Sequence, residues 1–151
     1  MFMQATDTTA ERPEQGSFAA LMELYENNYI YLRRLVPQLD GERDAQVSIV
    51  DRGPALHLEV VERCPYTTSL LLTHRFPRAH GDEALPDLQV RIYHDARVAE
   101  VLNAPGTLAW RWAANRFLNR WLRYCLGEGH GFPTGEGDRV FSRPQARRWA
   151  V

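Results

Sequence analysis

The stretch QVSIVDRGPALHLEVVERCPYTTSLLLTH, residues 46–74, decides the fold. Within 46–51, Val47 and Ile49 share one side of the chain. Within 55–62, Leu56, Leu58 and Val60 share a side while His57 and Glu59 take the other, and within 66–74 Thr68, Leu70, Leu72 and His74 fall together. A period of two is the mark of strands with one buried face, because successive side chains of an extended chain point to opposite faces. Arg52-Gly53-Pro54 reads as a turn, and Cys64-Pro65 breaks or bends the chain. Connections this short favour antiparallel neighbours.

On the C-terminal side, 76–86 reads as a loop with Pro77, Gly81 and Pro86, and 87–94 as a fourth strand with Leu88, Val90, Ile92 and His94 on one face. Residues 95–112 are ambiguous: Val98, Val101 and Leu102 fit a short helix or a bent strand. A helix then starts near Asn115, its candidate cap. Phe117, Leu118, Trp121, Leu122, Cys125 and Leu126 form its apolar stripe, and Gly127 is a natural stop. On the N-terminal side, Ser17 can cap a first helix in which Phe18, Leu21, Met22, Tyr25, Tyr29, Leu32, Leu35 and Val36 recur at three- and four-residue steps. Arg33 and Arg34 suit its last turn, where the helix dipole is negative, and Pro37 ends it. The expectation is an α+β domain over 17–127: a four-stranded antiparallel sheet with two amphipathic helices packed on one face. Residues 1–16 would form a flexible arm and 128–151 a Gly/Arg-rich irregular tail.

The totals agree with one globular domain. The chain has 151 residues, 44% hydrophobic and 25% charged, enough to build a core without staples. No run approaches the roughly 18 apolar residues of a membrane span, and the polar start carries Asp7, Glu11 and Glu14, unlike a secretory signal. Cys64 and Cys125 make no disulfide framework, so a reduced cytosol is the simplest compartment. The net charge of −1 hides a split: residues 1–102 hold 10 Arg against 16 acids, and residues 103–151 hold 8 Arg against 3. Every basic side chain is Arg, through codon bias or through use of its fork for phosphate and carboxylate.

Several blocks together resemble a known family: Asn27-Asn28-Tyr29 with 32–37 (LRRLVP), Tyr66-Thr67-Thr68, 90–96 (VRIYHDA) with 98–101 (VAEV), and Asn119 with 121–126 (WLRYCL). They look like the proteobacterial YqiB-like family of unknown function, over about residues 21–126. The resemblance implies a bacterial cytosolic protein and carries over no catalytic residues.

Three chemistries are open to the residues. A metal site would need about three of the histidines and cysteines together. Antiparallel strands instead put His74 and His94 at opposite ends and His57 on the other sheet face, so no metal site and no cofactor is expected. Cys64, His94 and Asp95 could meet near Tyr93, as a nucleophile needs a base and an orienting group. No motif surrounds Cys64, however, and adjacent His94 and Asp95 tend to point apart. The glycines of 127–137 are no phosphate loop, since they follow a helix and no lysine exists. The best signal is the basic segment. No acid lies between Val101 and Gly127, and Arg116, Arg120 and Arg123 share a helix face. Arg111 with Trp110 and Trp112 precedes them, while Arg139, Arg143, Arg147, Arg148 and Trp149 follow. Arginine with aromatics suits a protein interface, or less readily nucleic acid, given a pI near 6.5. The expected function is non-enzymatic binding or regulation through Arg111, Trp112, Arg116, Arg120 and Arg123. The partner would be another protein or a second copy, with no membrane involved. The rival is a small-molecule enzyme near Cys64, Tyr93, His94 and Asp95.

Overall fold

The computed structural model describes residues 17–39, 44–81, 83–103 and 106–133. The expected arm at 1–16 and most of the tail, with its four arginines and Trp149, lie outside the described residues. The elements run α1 (Phe18–Leu35), β1 (Ala45–Ser48), β2 (Ala55–Arg63), β3 (Thr67–Phe76), β4 (Glu83–Tyr93), β5 (Val98–Val101) and α2 (Leu108–Gly127). The strands form one antiparallel sheet in the order β1-β2-β3-β4-β5, each beside its neighbour in sequence.

Register explains the core. Leu58 stands opposite Leu72 and Leu72 opposite Leu88, while Leu70 pairs with Val60 and Val90. One sheet face therefore carries Leu56, Leu58, Leu70, Leu72, Val90 and Ile92, all buried with Leu32, Leu35, Leu118, Trp121 and Leu122 of the two helices. The core lies between that face and both helices, as the alternation requires. Burying such a side chain contributes about 1.5–3 kcal/mol. Ser17 caps α1 by accepting from the Ala20 N–H at 3.1 Å. The helix ends one residue short of Val36, which a following proline steers out of helical geometry.

The sheet has five strands where four were expected. Residues 98–101 are too short for period two and period 3.6 to be told apart, and pairing decides them: Val101 stands opposite Val90 and Ala99 opposite Ile92. The fourth strand also begins earlier than 87, inside the expected loop at 76–86. Its ladder is interrupted between Thr73↔Asp87 and Arg75↔Ala84, which leaves Leu85 and Pro86 unpaired in an irregularity. A proline, which has no N–H to donate, is tolerated at such a place. The first strand is shorter than 46–51. Val47 pairs with His57 and so takes the face away from the helices, while Ser48 takes the helix side and Ile49 lies beyond the strand, 40% exposed.

The second helix starts at Leu108, not near Asn115. Thr107 is its cap, its Oγ1 accepting from the Trp110 N–H at 3.2 Å. It ends at Gly127, the expected stop, and the residues just beyond close it. Gly129, at φ +96°, donates its N–H to Leu126 O, and His130 donates to Cys125 O. That hydrogen-bond pair is a Schellman ending, in which glycine supplies the left-handed residue. The next residues return to the body: Phe132 is 2% exposed and donates its N–H to Leu35 O at 2.9 Å. Among the described residues no helix is long and apolar enough to cross a membrane.

Candidate functional site

Helix α2 presents two different faces. Inward, Leu118, Trp121, Leu122 and Cys125 are buried against the sheet. Outward, Trp110, Phe117 and Tyr124 are 61%, 38% and 53% exposed. A spacing of seven residues brings these three onto one stripe. Beside them Arg116, Arg120 and Arg123 are exposed. Arg123 Nε donates to Asn119 Oδ1 at 3.1 Å, which holds the arginine along the helix. Arg116 lies 6.0 Å above the Trp112 ring.

Trp112 and Arg111 sit differently from those three. Trp112 is half-buried and packs against the small cluster of Leu21, Tyr25 and Val98. It is a platform beneath Arg116, set apart from the open stripe. Arg111 is half-buried too, close enough to Tyr25 to favour its phenolate. Burial and then Glu100 outweigh this, and the Tyr25 phenol is pushed up to about 12. The stripe was hidden in the sequence because a helix starting at Asn115 leaves Trp110 off it, and Phe117 reads as a core position.

The second candidate lies where β3 begins and β4 ends. Cys64 and His94 line one cavity of about 430 Å³, together with Tyr29, Arg33, Arg63 and Thr68. Local hydrogen bonds set this corner. Cys64 N–H donates to Thr67 O at 2.8 Å and closes the β2–β3 turn, and His94 N–H donates to Tyr66 O at 2.9 Å. His94 Nε2 is 2.8 Å from Thr68 Oγ1. Cys64 is exposed, and no thiol–imidazole hydrogen bond joins it to His94. Asp95 does not orient His94. Its Oδ1 accepts from the Ala96 N–H at 2.9 Å. The Tyr93 hydroxyl donates to Glu100 at 2.6 Å, away from the cavity lining, and burial with that bond raises the phenol.

The remaining histidines are apart from this corner. His57 lies on the sheet face opposite His74, whose own strand neighbour is Leu56. Among the described residues no group of three His, Cys, Asp or Glu could hold a metal ion. His74 lies under α2, where the Trp121 Nε1–H donates to its Nδ1 at 3.1 Å and Cys125 Sγ is 3.7 Å from its Nε2. His130 stands 5.5 Å away ring to ring, with Nδ1 2.9 Å from Ser48 Oγ. Only the return of the chain after α2 puts it there. No local pattern announces it.

Residues 31–111 match the model of a family described as "Protein of unknown function (DUF1249)". The chain is 34% identical over 128 residues to "Uncharacterized protein YqiB" of Escherichia coli K12, an alignment covering 74% of this chain and 90% of that protein. Proteins of the same name from the O6:H1 and O157:H7 strains match equally. No solved structure matches the chain. The resemblance read from the motif blocks is thus found by independent comparison, and the chain belongs to the DUF1249 family, whose function is unknown.

Proposed function

We propose that the protein is a cytosolic binding or regulatory protein that docks an acidic segment of a partner protein on the outer face of α2. The observation that carries this is the stripe of Trp110, Phe117 and Tyr124 flanked by Arg116, Arg120 and Arg123. Exposed aromatics desolvate well, and arginine is enriched with them where binding energy is concentrated. The row of guanidiniums, with no acid between Val101 and Gly127, selects a partner of opposite charge. Trp112 and Arg111 support the helix from behind.

The test is affinity capture with the full chain, with the captured segment mapped by cross-linking. One partner should be recovered through an acid-rich segment, and its recovery should fall at least tenfold with the triple change Arg116→Ala, Arg120→Ala, Arg123→Ala. Undiminished recovery with that variant sinks the reading. Light scattering separates the case of a second copy as the partner, since a dimer would then dissociate in the same variant.

An enzyme is the weaker alternative. Cys64 and His94 share a cavity, which favours it. His94 engaged by Thr68, and Asp95 by the backbone, leave the thiol without an assembled base.

A further inference from the structure

The cavity at Cys64 has a neighbour. A second concavity, also about 430 Å³, is lined by Tyr29, Arg33, Arg34, Pro37 and Arg97. The two share Tyr29 and Arg33, so they form one trough with Arg33 at its saddle. Arg63 and His94 stand on one side, Arg34 and Arg97 on the other. Among the described residues none lining either cavity is acidic.

Part of this charge has a structural account. Arg33 and Arg34 fall in the last turn of α1, where the helix dipole favours cations by about 0.3–1 kcal/mol each. Arg63 is braced by Leu39 O at 3.3 Å and by Asp44 at 3.5 Å. Among the described residues Arg33, Arg34 and Arg97 make no ion pair. The dipole end amounts to roughly half a negative charge, small against this group of cations.

Arg97 is the position the fold alone does not explain. It sits at φ +59° in the β4–β5 turn, its N–H bonded to Tyr93 O at 2.8 Å. A side chain with a Cβ is strained in that region by about 1–2 kcal/mol, and glycine is not. In return the guanidinium stands 5.7 Å over the Tyr29 ring, and an exposed contact of that kind contributes only about 0.5–1 kcal/mol. Glycine would serve the turn at least as well. What glycine lacks is the charge that this conformation carries onto the rim of the trough.

We propose that the trough binds a diphosphate or longer phosphate chain. One phosphoryl group would sit between Arg63 and His94, the next between Arg34 and Arg97, and Arg33 would bridge them. Guanidinium forks match phosphate oxygens in pairs and stay charged at any physiological pH. Division of the cations between two joined cavities selects two phosphoryl groups over one. The site is separate from the α2 face, so either can fail without the other.

The probe is inorganic pyrophosphate, titrated calorimetrically into the full chain at low salt, with orthophosphate run in parallel. Saturable one-to-one binding of pyrophosphate is expected, at least tenfold tighter than orthophosphate. Arg33→Ala and Arg97→Gly should each weaken it tenfold or more, while Arg52→Ala, at an exposed turn outside the trough, should leave it unchanged. Arg97→Gly is the informative variant, because glycine suits φ +59° and the fold survives, as its thermal melt will report. Equal affinity for the two anions, absence of saturable binding, or binding that ignores Arg33→Ala and Arg97→Gly would each overturn the proposal.

Discussion

Replacing Asn115 by Leu should destabilise the protein by about 3 kcal/mol, although the two side chains are close in size. Asn115 is fully buried where α2 crosses α1 and the edge of the sheet. Its Oδ1 accepts from the Val101 N–H at 2.9 Å and from Asn28 Nδ2 at 3.5 Å, and its own amide donates to Arg111 O at 2.8 Å. Val101 lies on β5 at the edge of the sheet, and among the described residues no further strand meets its outward N–H groups. Asn115 thus closes a sheet edge that would otherwise be a buried unpaired donor. Leucine would orphan the Val101 N–H and weaken the hold on Asn28, which is itself fully buried and bonded to Asn119 at 3.0 Å. Each abandoned buried group costs about 1–3 kcal/mol. Urea unfolding of the Leu variant measures the total. A loss below about 1 kcal/mol would show that the bond between α2 and β5 is not what secures the edge. Asn119→Ala, which removes the half-buried bond to Asn28 and the exposed one from Arg123, should cost about 1 kcal/mol.

Acid should weaken the fold between pH 6.5 and 4, before most carboxylates titrate, and His74 is the cause. The Trp121 N–H donates to Nδ1, so the neutral ring carries its proton on Nε2, facing the Cys125 sulfur. A second proton would have to enter on Nδ1, setting donor against donor. Burial first, and then the neighbouring His130, push the His74 imidazolium pKa down to about 4 from 6.5. Burial also lowers His130, against a smaller upward pull from the Pro54 backbone. The sign follows from linkage. Between pH 6.5 and 4 the unfolded chain takes up a proton that the folded chain refuses, so stability is full above 6.5 and drains away as pH falls through that window. At 1.36 kcal/mol per pH unit, the loss from His74 is about 2 kcal/mol on reaching pH 5. Urea unfolding at pH 7 and pH 5 should show it. In His74→Gln, which keeps an acceptor for Trp121 without a titrating ring, the dependence should flatten. Equal slopes in the two proteins would remove His74 as the source.

The Asn115 and His74 predictions meet at α2. Its inner face is fixed to the sheet by Leu118 and Leu122, by the Trp121–His74 bond and by Asn115. Of its outer aromatics, Phe117 stacks on Trp121 and the Tyr124 ring stands edge-on 6.3 Å from His74, whereas Trp110 is the most open at 61% exposed. Trp110→Ala should leave unfolding within about 0.5 kcal/mol of the parent, as surface changes usually do. A large loss would mean that this end of the stripe packs against the body of the protein and is not free for a partner.

The strand alternation, the helical stripe of α1, the antiparallel order and the burial of Cys125 were legible in the chain, because each rests on its period and on neighbours a few residues away. Long-range contacts set the rest. Val98–Val101 became a strand only by meeting Ile92 and Val90. Glu83 and Ala84 joined β4 because an irregularity absorbed Pro86. Asn115, a reasonable cap by local preference, went to the interior because β5 offers an N–H there. His74 and His130 are 56 residues apart in the chain, and Arg33, Arg63 and Arg97 come from a helix, a strand and a turn. Their convergence is set by how strands register and helices cross. Residue spacing encodes which face a side chain takes. It does not encode which distant side chain will face it.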